Sequence, residues 1–371
     1  MTKPILLIGE QRGEAEARIN RTFVGATGAE LLRMLAEASV ISLTNLDSAH
    51  LRTFWTTRDP WSLDKIWENH RETLIATNVF NIYPPGNKLE YFCGGKPLAL
   101  PNYSKLLKAG YVRSEFAPEL DRLGDEILSH DPNLIVCLGN TAIWALLGTT
   151  GVRKLRGTTA VSTHCVSGYK LLCTYHPSAV HRQWELRPTV VSDLGKINDE
   201  KDTAHVERPP VEIWTEPTIE DIQTFFDEFV RFGRCPLLSI DIETTGTRIT
   251  CIGFAPRPDL ALVVPFDDER AESGSYWATP QLERQCWQLV REVLEDSTIK
   301  KLFQNGMYDI TFTLRSYKIK TLGAVHDTML LHHALQPESL KSLGFLGSIY
   351  TNHGPWKSER KRADTTVKRD A

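Results

Sequence analysis

The run Ile5-Leu6-Leu7-Ile8, stopped by Gly9, constrains this chain more than any other stretch. It is short, partly β-branched and free of polar residues, the pattern of a strand buried on both faces of a parallel sheet. A loop with Glu10, Gln11, Arg12 and Gly13 follows it, and Gly25 and Gly28 bracket the opening of a helix expected from about Ala29 to Ala38. In an open α/β sheet, ligands bind at the carboxyl ends of strands, so this loop is a candidate site wall. By itself the segment reads equally well as an ordinary strand–loop–helix start. Its glycines are not spaced Gly-x-Gly-x-x-Gly, which disfavours a dinucleotide site.

The same grammar recurs to residue 197. Leu74–Ile82 is a second buried strand, ending in Tyr83-Pro84-Pro85-Gly86-Asn87-Lys88. That tract must leave the sheet, because proline cannot donate to the ladder and glycine permits a turn. Leu134–Leu138 is a third strand, with Gly139-Asn140-Thr141 opening a helix to Leu147, and Lys170–Tyr175 a fourth, followed by His176-Pro177-Ser178. Phe116–His130 has helical spacing, with Leu120, Leu123 and Ile127 on one side. Val40–Thr44 reads as a short edge strand or a turn, and 45–70, with Phe54, Trp55, Trp61 and Trp67, as an inserted, partly helical loop. A helix is expected through Arg182–Val191, or from Pro188.

At 371 residues the chain suits two domains. Residues 1–197 form one, the charged, proline-bearing 198–215 a linker, 216–355 a second α/β unit, and 356–371 a Lys/Arg-rich tail that is disordered or partner-dependent. In the second unit, helices are expected at Thr218–Phe232, Gln281–Leu294 and Met307–Ser316. Strands are expected at Leu237–Ile242, Thr250–Ala255, Leu260–Val264 and Lys301–Phe303. No apolar run approaches a membrane span or the core of a signal peptide, so no membrane partner is expected. Seven scattered cysteines without Cys-x-x-Cys spacing point to a reducing, cytoplasmic compartment, inside a host cell if the gene is viral. Net charge is −3, so nucleic acid would have to meet a local basic surface.

Three loops of the first domain fall at strand carboxyl ends: Glu10–Gly13, Asn78–Asn87 and His176–Ser178. Parallel topology brings them to one crevice. Gly9 and Gly13 permit close backbone approach. An Asn amide donates and accepts together, which suits a base edge; an imidazole can donate to a growing oxyanion; a ring such as Phe23 can stack on a base. Singly, Asn78 could be a strand-end cap, His176 a surface histidine and Phe23 core packing. Gly9-Glu10-x-x-Gly13, Phe23-Val24-Gly25-x-x-Gly28, Asn78-Val79-x4-Pro84-Pro85-Gly86-Asn87, Leu138-Gly139-Asn140-x-Ala142 and Tyr175-His176-Pro177-Ser178 occur in that order. Together they resemble the uracil-DNA glycosylase superfamily over about residues 4–197, nearest its family 4 and 5 branches.

The resemblance implies a three-layer αβα fold that flips a base from DNA. It assigns uracil stacking to Phe23, base reading to Asn78, stabilisation of uracil O2 to His176, and the pocket floor to backbone at Glu10 and Gln11. Residues 179–182, after Ser178 and including Arg182, match the loop that enters the minor groove. Family 4 ligates a [4Fe-4S] cluster with a cysteine just before the Pro-Pro; Ile82 stands there and no cysteine precedes Cys93, so no iron–sulfur cluster is expected. Gln11 stands near the place of a water-positioning Asp in the best-known branch, and Arg12 replaces a customary proline.

In the second domain, Ile240-Asp241-Ile242-Glu243-Thr244 sets two carboxylates at i and i+2 on one strand face, where they repel unless a cation intervenes. A lone Asp-x-Glu is also an ordinary solvated strand face. Phe303-Gln304-Asn305-Gly306-Met307-Tyr308-Asp309 adds a third carboxylate at a helix start. These segments resemble the first two motifs of DnaQ-like 3′–5′ exonucleases, in the form found as the proofreading domain of family A DNA polymerases. The resemblance implies an RNase H-like α/β fold. In it Asp241, Glu243 and Asp309 would bind Mg²⁺ or Mn²⁺, Asn305 and Tyr308 would line the substrate site, and Asp327 would be structural. The family's third motif is not visible, since neither Asp364 nor Asp370 has its partner. Two readings follow: an enzyme coupling uracil excision to an exonuclease domain at replication or repair, and a non-catalytic accessory that reads a base and docks a DNA polymerase in trans. A phosphate-cradling nucleotide enzyme would leave Asn78 and His176 unexplained.

Overall fold

The computed structural model describes residues 3–96, 99–106, 110–233 and 235–352; the expected tail at 356–371, with Asp364 and Asp370, lies outside them. The described residues form two compact units, one built from 3–207 together with 344–352, the other from Arg208–Leu343. Among the described residues no helix is long and apolar enough to cross a membrane.

In the first unit the elements follow in the order β1 (Ile5–Gln11), α1 (Glu14–Ile19), α2 (Ala26–Glu37), α3 (Asn45–Thr57), α4 (Pro60–Asn69) and β2 (Leu74–Phe80). A small hairpin of β3 (Cys93–Gly94) and β4 (Tyr111–Val112) leads to α5 (Ala117–His130), β5 (Leu134–Leu138), α6 (Asn140–Leu147) and α7 (Val152–Leu155). Then come β6 (Thr159–Val161), β7 (Lys170–Thr174), α8 (Pro177–Arg182), α9 (Arg187–Gly195) and α10 (Ile197–Glu200). The sheet order is β2-β1-β5-β7-β6, parallel except for β6. Successive residues of β1 feed opposite faces: Ile5 and Leu7 join a core with Leu31, Leu35 and Leu194, whereas Leu6 and Ile8 join one with Leu123, Ile127 and Ile143. Helices therefore cover both faces, the expected αβα sandwich.

Several local expectations change. Residues 40–44 form no strand, leaving the turn. The inserted loop at 45–70 is two helices, each with its own start signal: Thr44 and Asp47 cap α3 reciprocally, and Asp59 with Pro60 opens α4. The stretch after His176 is not a loop followed by one helix. It is α8, a tight 3-10 turn over Trp184–Leu186, and then α9.

In the second unit β8 (Glu212–Trp214) precedes α11 (Ile219–Phe225), which continues as π-helical turns through Arg231. Next are β9 (Leu238–Thr245), β10 (Arg248–Arg257), β11 (Leu260–Pro265), α12 (Pro280–Glu295), β12 (Lys301–Phe303), α13 (Met307–Phe312), β13 (Val325–Asp327) and α14 (Thr328–Leu335). The sheet order is β13-β12-β9-β10-β11-β8, with β9–β11 an antiparallel meander and β12 parallel to β9. That is the RNase H-like arrangement. β8 lies inside the expected linker yet pairs with β11, so the linker is shorter than its composition suggested.

A last helix, α15 (Leu343–Tyr350), lies in the stretch assigned to the second domain, but from Gly344 it packs in the first unit. Arg156 Nη1 donates to Ser348 Oγ at 2.6 Å, and Lys196 Nζ donates to Gly157 O at 2.7 Å and to Ser348 O at 2.8 Å. The boundary expected at 355 thus moves to Leu343, and the second unit is an insertion in the chain of the first.

Candidate functional site

Parallel pairing sets Gly9 opposite Asn78 at the carboxyl ends of β1 and β2. A Cβ on Gly9 would lie 2.3 Å from Asn78 Oδ1 and 2.7 Å from Phe23 Cζ, so the missing side chain lets amide and ring converge. Phe23 has φ +56°, a left-handed conformation that a bulky residue holds only when its surroundings impose it. Here the Glu16 carboxylate does so, accepting from Phe23 N and, at 2.5 Å, from Gly13 N. Trp67 Nε1 donates to Phe23 O at 3.0 Å. Gly28 is forced by the same fold, since a Cβ there would sit 1.6 Å from Phe23 O.

Asn78 is 1% exposed, and its Nδ2 has no hydrogen-bond partner among the described residues. The amide lies beside Glu16, near enough to help lower that carboxyl's pKa without hydrogen-bond geometry; burial, the larger influence, pushes it up. Arg122 on α5 donates to Asn78 O at 2.8 Å and Val79 O at 2.9 Å, fixing the strand end that carries the amide. A buried amide left without a hydrogen bond costs stability, so Nδ2 keeps donor capacity to spare.

His176 caps α8. Ser178 N donates to its Nδ1 at 3.3 Å, and Ser178 Oγ lies 2.7 Å from the same atom. A backbone N–H can only donate, so Nδ1 accepts and the proton of the neutral ring sits on Nε2. Burial lowers the His176 pKa, with the Glu10 charge raising it and Arg182 lowering it. Glu10 is held by Thr141 Oγ1 at 2.7 Å. The Phe23 and His176 rings are 6.3 Å apart between centroids.

The fold thus gathers Gly9, Asn78, Phe23 and His176, with Glu10 close enough to act on the imidazole by charge. Gln11 turns aside: Nε2 donates to Asn87 Oδ1 at 3.0 Å, leaving Oε1 buried without a partner. Gly13 serves as the cap of α1. In the 179–182 segment Val180 is buried, while His181 and Arg182 are exposed at the end of α8. Sequence reasoning missed Glu16, Trp67, Arg122 and Thr141. Only Glu16 left a sign, the spacing Gly13-x-x-Glu16 of a helix start.

In the second unit, Asp241 and Glu243 are exposed on one face of β9, alternating with buried Ile240 and Ile242. Asp309 is buried, and its Oδ1 accepts from Ile242 N at 3.0 Å. Burial pushes its pKa up to about 6; the Ile242 N–H pulls it down and the Asp241 charge raises it further. Tyr308 Oη lies 2.6 Å from Thr244 Oγ1, while Asn305 N and Gly306 N donate to Asp327, at 3.1 and 2.8 Å. Asp327 also caps α14, which accounts for it structurally. Among the described residues, however, no three His, Cys, Asp or Glu side chains converge to hold a metal ion. Of the expected ligand set, Asp241 lies near enough to Asp309 to act on it by charge.

Residues 2–196 match the model of the uracil DNA glycosylase superfamily, and residues 218–364 that of a 3′-5′ exonuclease. The DNA polymerase of Bacillus phage SP01 is 24% identical over 248 residues, which cover 59% of this chain but 25% of the phage protein. The type-4 uracil-DNA glycosylase of Archaeoglobus fulgidus is 25% identical over 200 residues, covering 53% of this chain and 75% of that one. The type-4 enzyme of Sulfurisphaera tokodaii is 26% identical over 200 residues, covering 53% and 69%. Similar solved structures include the EXD2 exonuclease domain soaked in Mg and dGMP, at 16% identity over 37% of this chain and 69% of that one, with a TM-score of 0.27. Brucella melitensis NrnC with bound Mg²⁺ is 14% identical over 39% of this chain and 64% of that one, with a TM-score of 0.27. By its first unit the chain belongs to the uracil DNA glycosylase superfamily, and its second unit carries a 3′-5′ exonuclease domain.

Proposed function

We propose that the first unit excises uracil from DNA by hydrolysing the N-glycosidic bond, leaving an abasic site, in the service of repair or replication. The observation that carries this is the buried, unpartnered Asn78 amide, set beside the Phe23 ring and the neutral His176 at one strand-end crevice. Uracil offers N3–H as a donor and O4 as an acceptor, and Asn78 answers with Oδ1 and Nδ2. As the C1′–N1 bond lengthens, negative charge grows on the departing base. A donor such as His176 Nε2–H aimed at O2 is worth about 3–4 kcal/mol. Water adds to C1′ as the C1′–N1 bond breaks, and its proton ends on the departing uracil anion. Extruding the base costs a few kcal/mol, least in single strands.

No iron–sulfur cluster is part of this reading: Ile82 occupies the cysteine place before Pro84-Pro85, and no cysteine precedes Cys93. The second unit is read as a DNA-binding companion. Asp241, Glu243 and Asp309 are the groups that would hold a divalent ion, Mg²⁺ or Mn²⁺, with Asn305 and Tyr308 on the same segment as Asp309. In the alternative reading of this unit it acts as an accessory, with a DNA polymerase as partner in trans.

The test is direct. Purified, iron-free protein should release free uracil from a single-stranded oligonucleotide containing deoxyuridine and leave an alkali-labile site. The same strand with thymidine should stay intact. Trimming of 3′ ends with Mg²⁺ or Mn²⁺, scored in the same tubes with and without a replicative polymerase, separates nuclease from accessory.

A further inference from the structure

We infer that Arg122 is a positioning residue for base reading, acting on uracil through the backbone of Asn78, an assignment that rests on the base-excision reading above. β2 lies at the edge of its sheet and pairs with β1. Among the described residues, the strand that carries the base-reading amide has no neighbouring strand on its outer side. The amide does not anchor itself, since Nδ2 has no hydrogen-bond partner among the described residues. Its place is set by the backbone that carries it.

α5 stands in for the missing strand. One nitrogen of Arg122, Nη2, donates to Asn78 O at 2.8 Å and to Val79 O at 2.9 Å. Glu119, one turn earlier, accepts from Asn81 N at 2.7 Å, and Phe80 O accepts from Arg12 N at 3.3 Å. Each residue from Asn78 to Asn81 thus has a backbone group tied from outside the strand. The guanidinium is aimed by its other nitrogens: Nε donates to Glu119 at 3.2 Å and Nη1 to Glu126 at 2.6 Å. Ion pairs at such helical spacing are common on surfaces and worth little by themselves. Here they serve a further end, because the Arg122 side chain is only 25% exposed and its last nitrogen goes to the strand carbonyls. Two carboxylates neutralise the cation, which leaves it no net charge for a DNA phosphate. A guanidinium has five N–H donors in a fixed fork and can meet both carboxylates and both carbonyls; an ammonium is a point charge with three. A strand end displaced by about 1 Å would misplace the amide against the base, an error that costs about a hundredfold in rate.

The experiment measures single-turnover release of uracil from a single-stranded oligonucleotide by wild type, Arg122→Ala, Arg122→Lys, Asn78→Ala and the double variant Arg122→Ala/Asn78→Ala. Each is assayed with and without guanidinium ion, at an ionic strength held constant with sodium chloride. Arg122→Ala should lose about tenfold to a hundredfold in rate. Its half-saturating DNA concentration should stay unchanged, because affinity for DNA rests mainly on phosphate contacts. Guanidinium ion should restore part of the loss, and Arg122→Lys should fall between wild type and Arg122→Ala. In the Asn78→Ala background the Arg122→Ala change should cost nothing further, the sign of two residues acting as one. Should Arg122→Ala not fold, Arg122→Lys carries the double-variant comparison. A full loss in the Asn78→Ala background, a loss that guanidinium ion leaves untouched, or wild-type release by Arg122→Ala would overturn the assignment. If wild type released no uracil, the excision reading would fall, and the NMR signals of the Asn78 side-chain amide would decide the role of Arg122. They should move in Arg122→Ala and return with guanidinium ion; signals that stay in place would overturn it.

Discussion

The carboxyls and imidazole at the two sites are governed by burial with opposite consequences. Asp309 has its folded pKa pushed up to about 6, above the ordinary carboxyl value, so folding favours its protonated form. The stability this lends is fully present below the unfolded pKa and is lost as pH rises through the folded one. Asp309→Asn should therefore stabilise the second unit at pH 8 by at most about 3 kcal/mol, read as a higher melting temperature, and change little at pH 4. Added Mg²⁺ should stabilise wild type more than the variant if the carboxylates ever close on a metal. His176 is shifted the other way: burial lowers its pKa, so protonation as pH falls below the ordinary histidine value works against the folded state. An NMR titration should find its midpoint below that of an exposed histidine, with Nδ1 the unprotonated nitrogen. Glu16 takes two backbone donors, and a glutamine has only one acceptor oxygen to meet them. Glu16→Gln should cost about 1–3 kcal/mol and loosen Phe23, read as a loss of uracil release larger than a loss of fold.

At the scale of elements, the buried strands were legible because parallel strands covered on both faces are continuous apolar runs, as β1, β5 and β7 are. The helices of 45–70 were obscured by exposed Trp61 and Leu46, although the caps at Thr44-x-x-Asp47 and Asp59-Pro60 stood in the sequence. β8 was illegible for a physical reason: it has three residues, with Glu212 and Ile213 exposed, and gains its pairing only from β11. The glycines at the site divide by what they would strike. Gly28→Ala meets backbone, which cannot yield, and should destabilise by about 1–3 kcal/mol or more. Gly9→Ala meets the ends of Asn78 and Phe23, which can swing away. It should melt near wild type but lose most of its uracil release.

For the whole molecule, the insertion of the exonuclease-type unit makes the glycosylase unit depend on chain that follows it in sequence. Arg156, 2% exposed, is ion-paired with buried Asp193, which also accepts from Thr174 Oγ1 at 2.7 Å, two residues before His176. Arg156→Met should destabilise the first unit by about 3–5 kcal/mol by stranding Asp193. Truncation after Ser342 should also lower its melting temperature, since Arg156 and Lys196 lose Ser348. Both motif sets could be read along the chain because their residues cluster in short segments, as in Gly9–Gly13 and Asn305–Asp309. The α15 docking could not, because it joins residues 152 or more positions apart that share no local pattern. The most direct test of the central claim, that Asn78 and His176 excise uracil, is single-turnover release of labelled uracil from a single-stranded oligonucleotide by wild type, Asn78→Ala and His176→Ala. The account predicts release by wild type and a loss of at least about a hundredfold, the scale of one well-aimed donor, in each variant with the fold intact. Wild-type rates in both variants would contradict it.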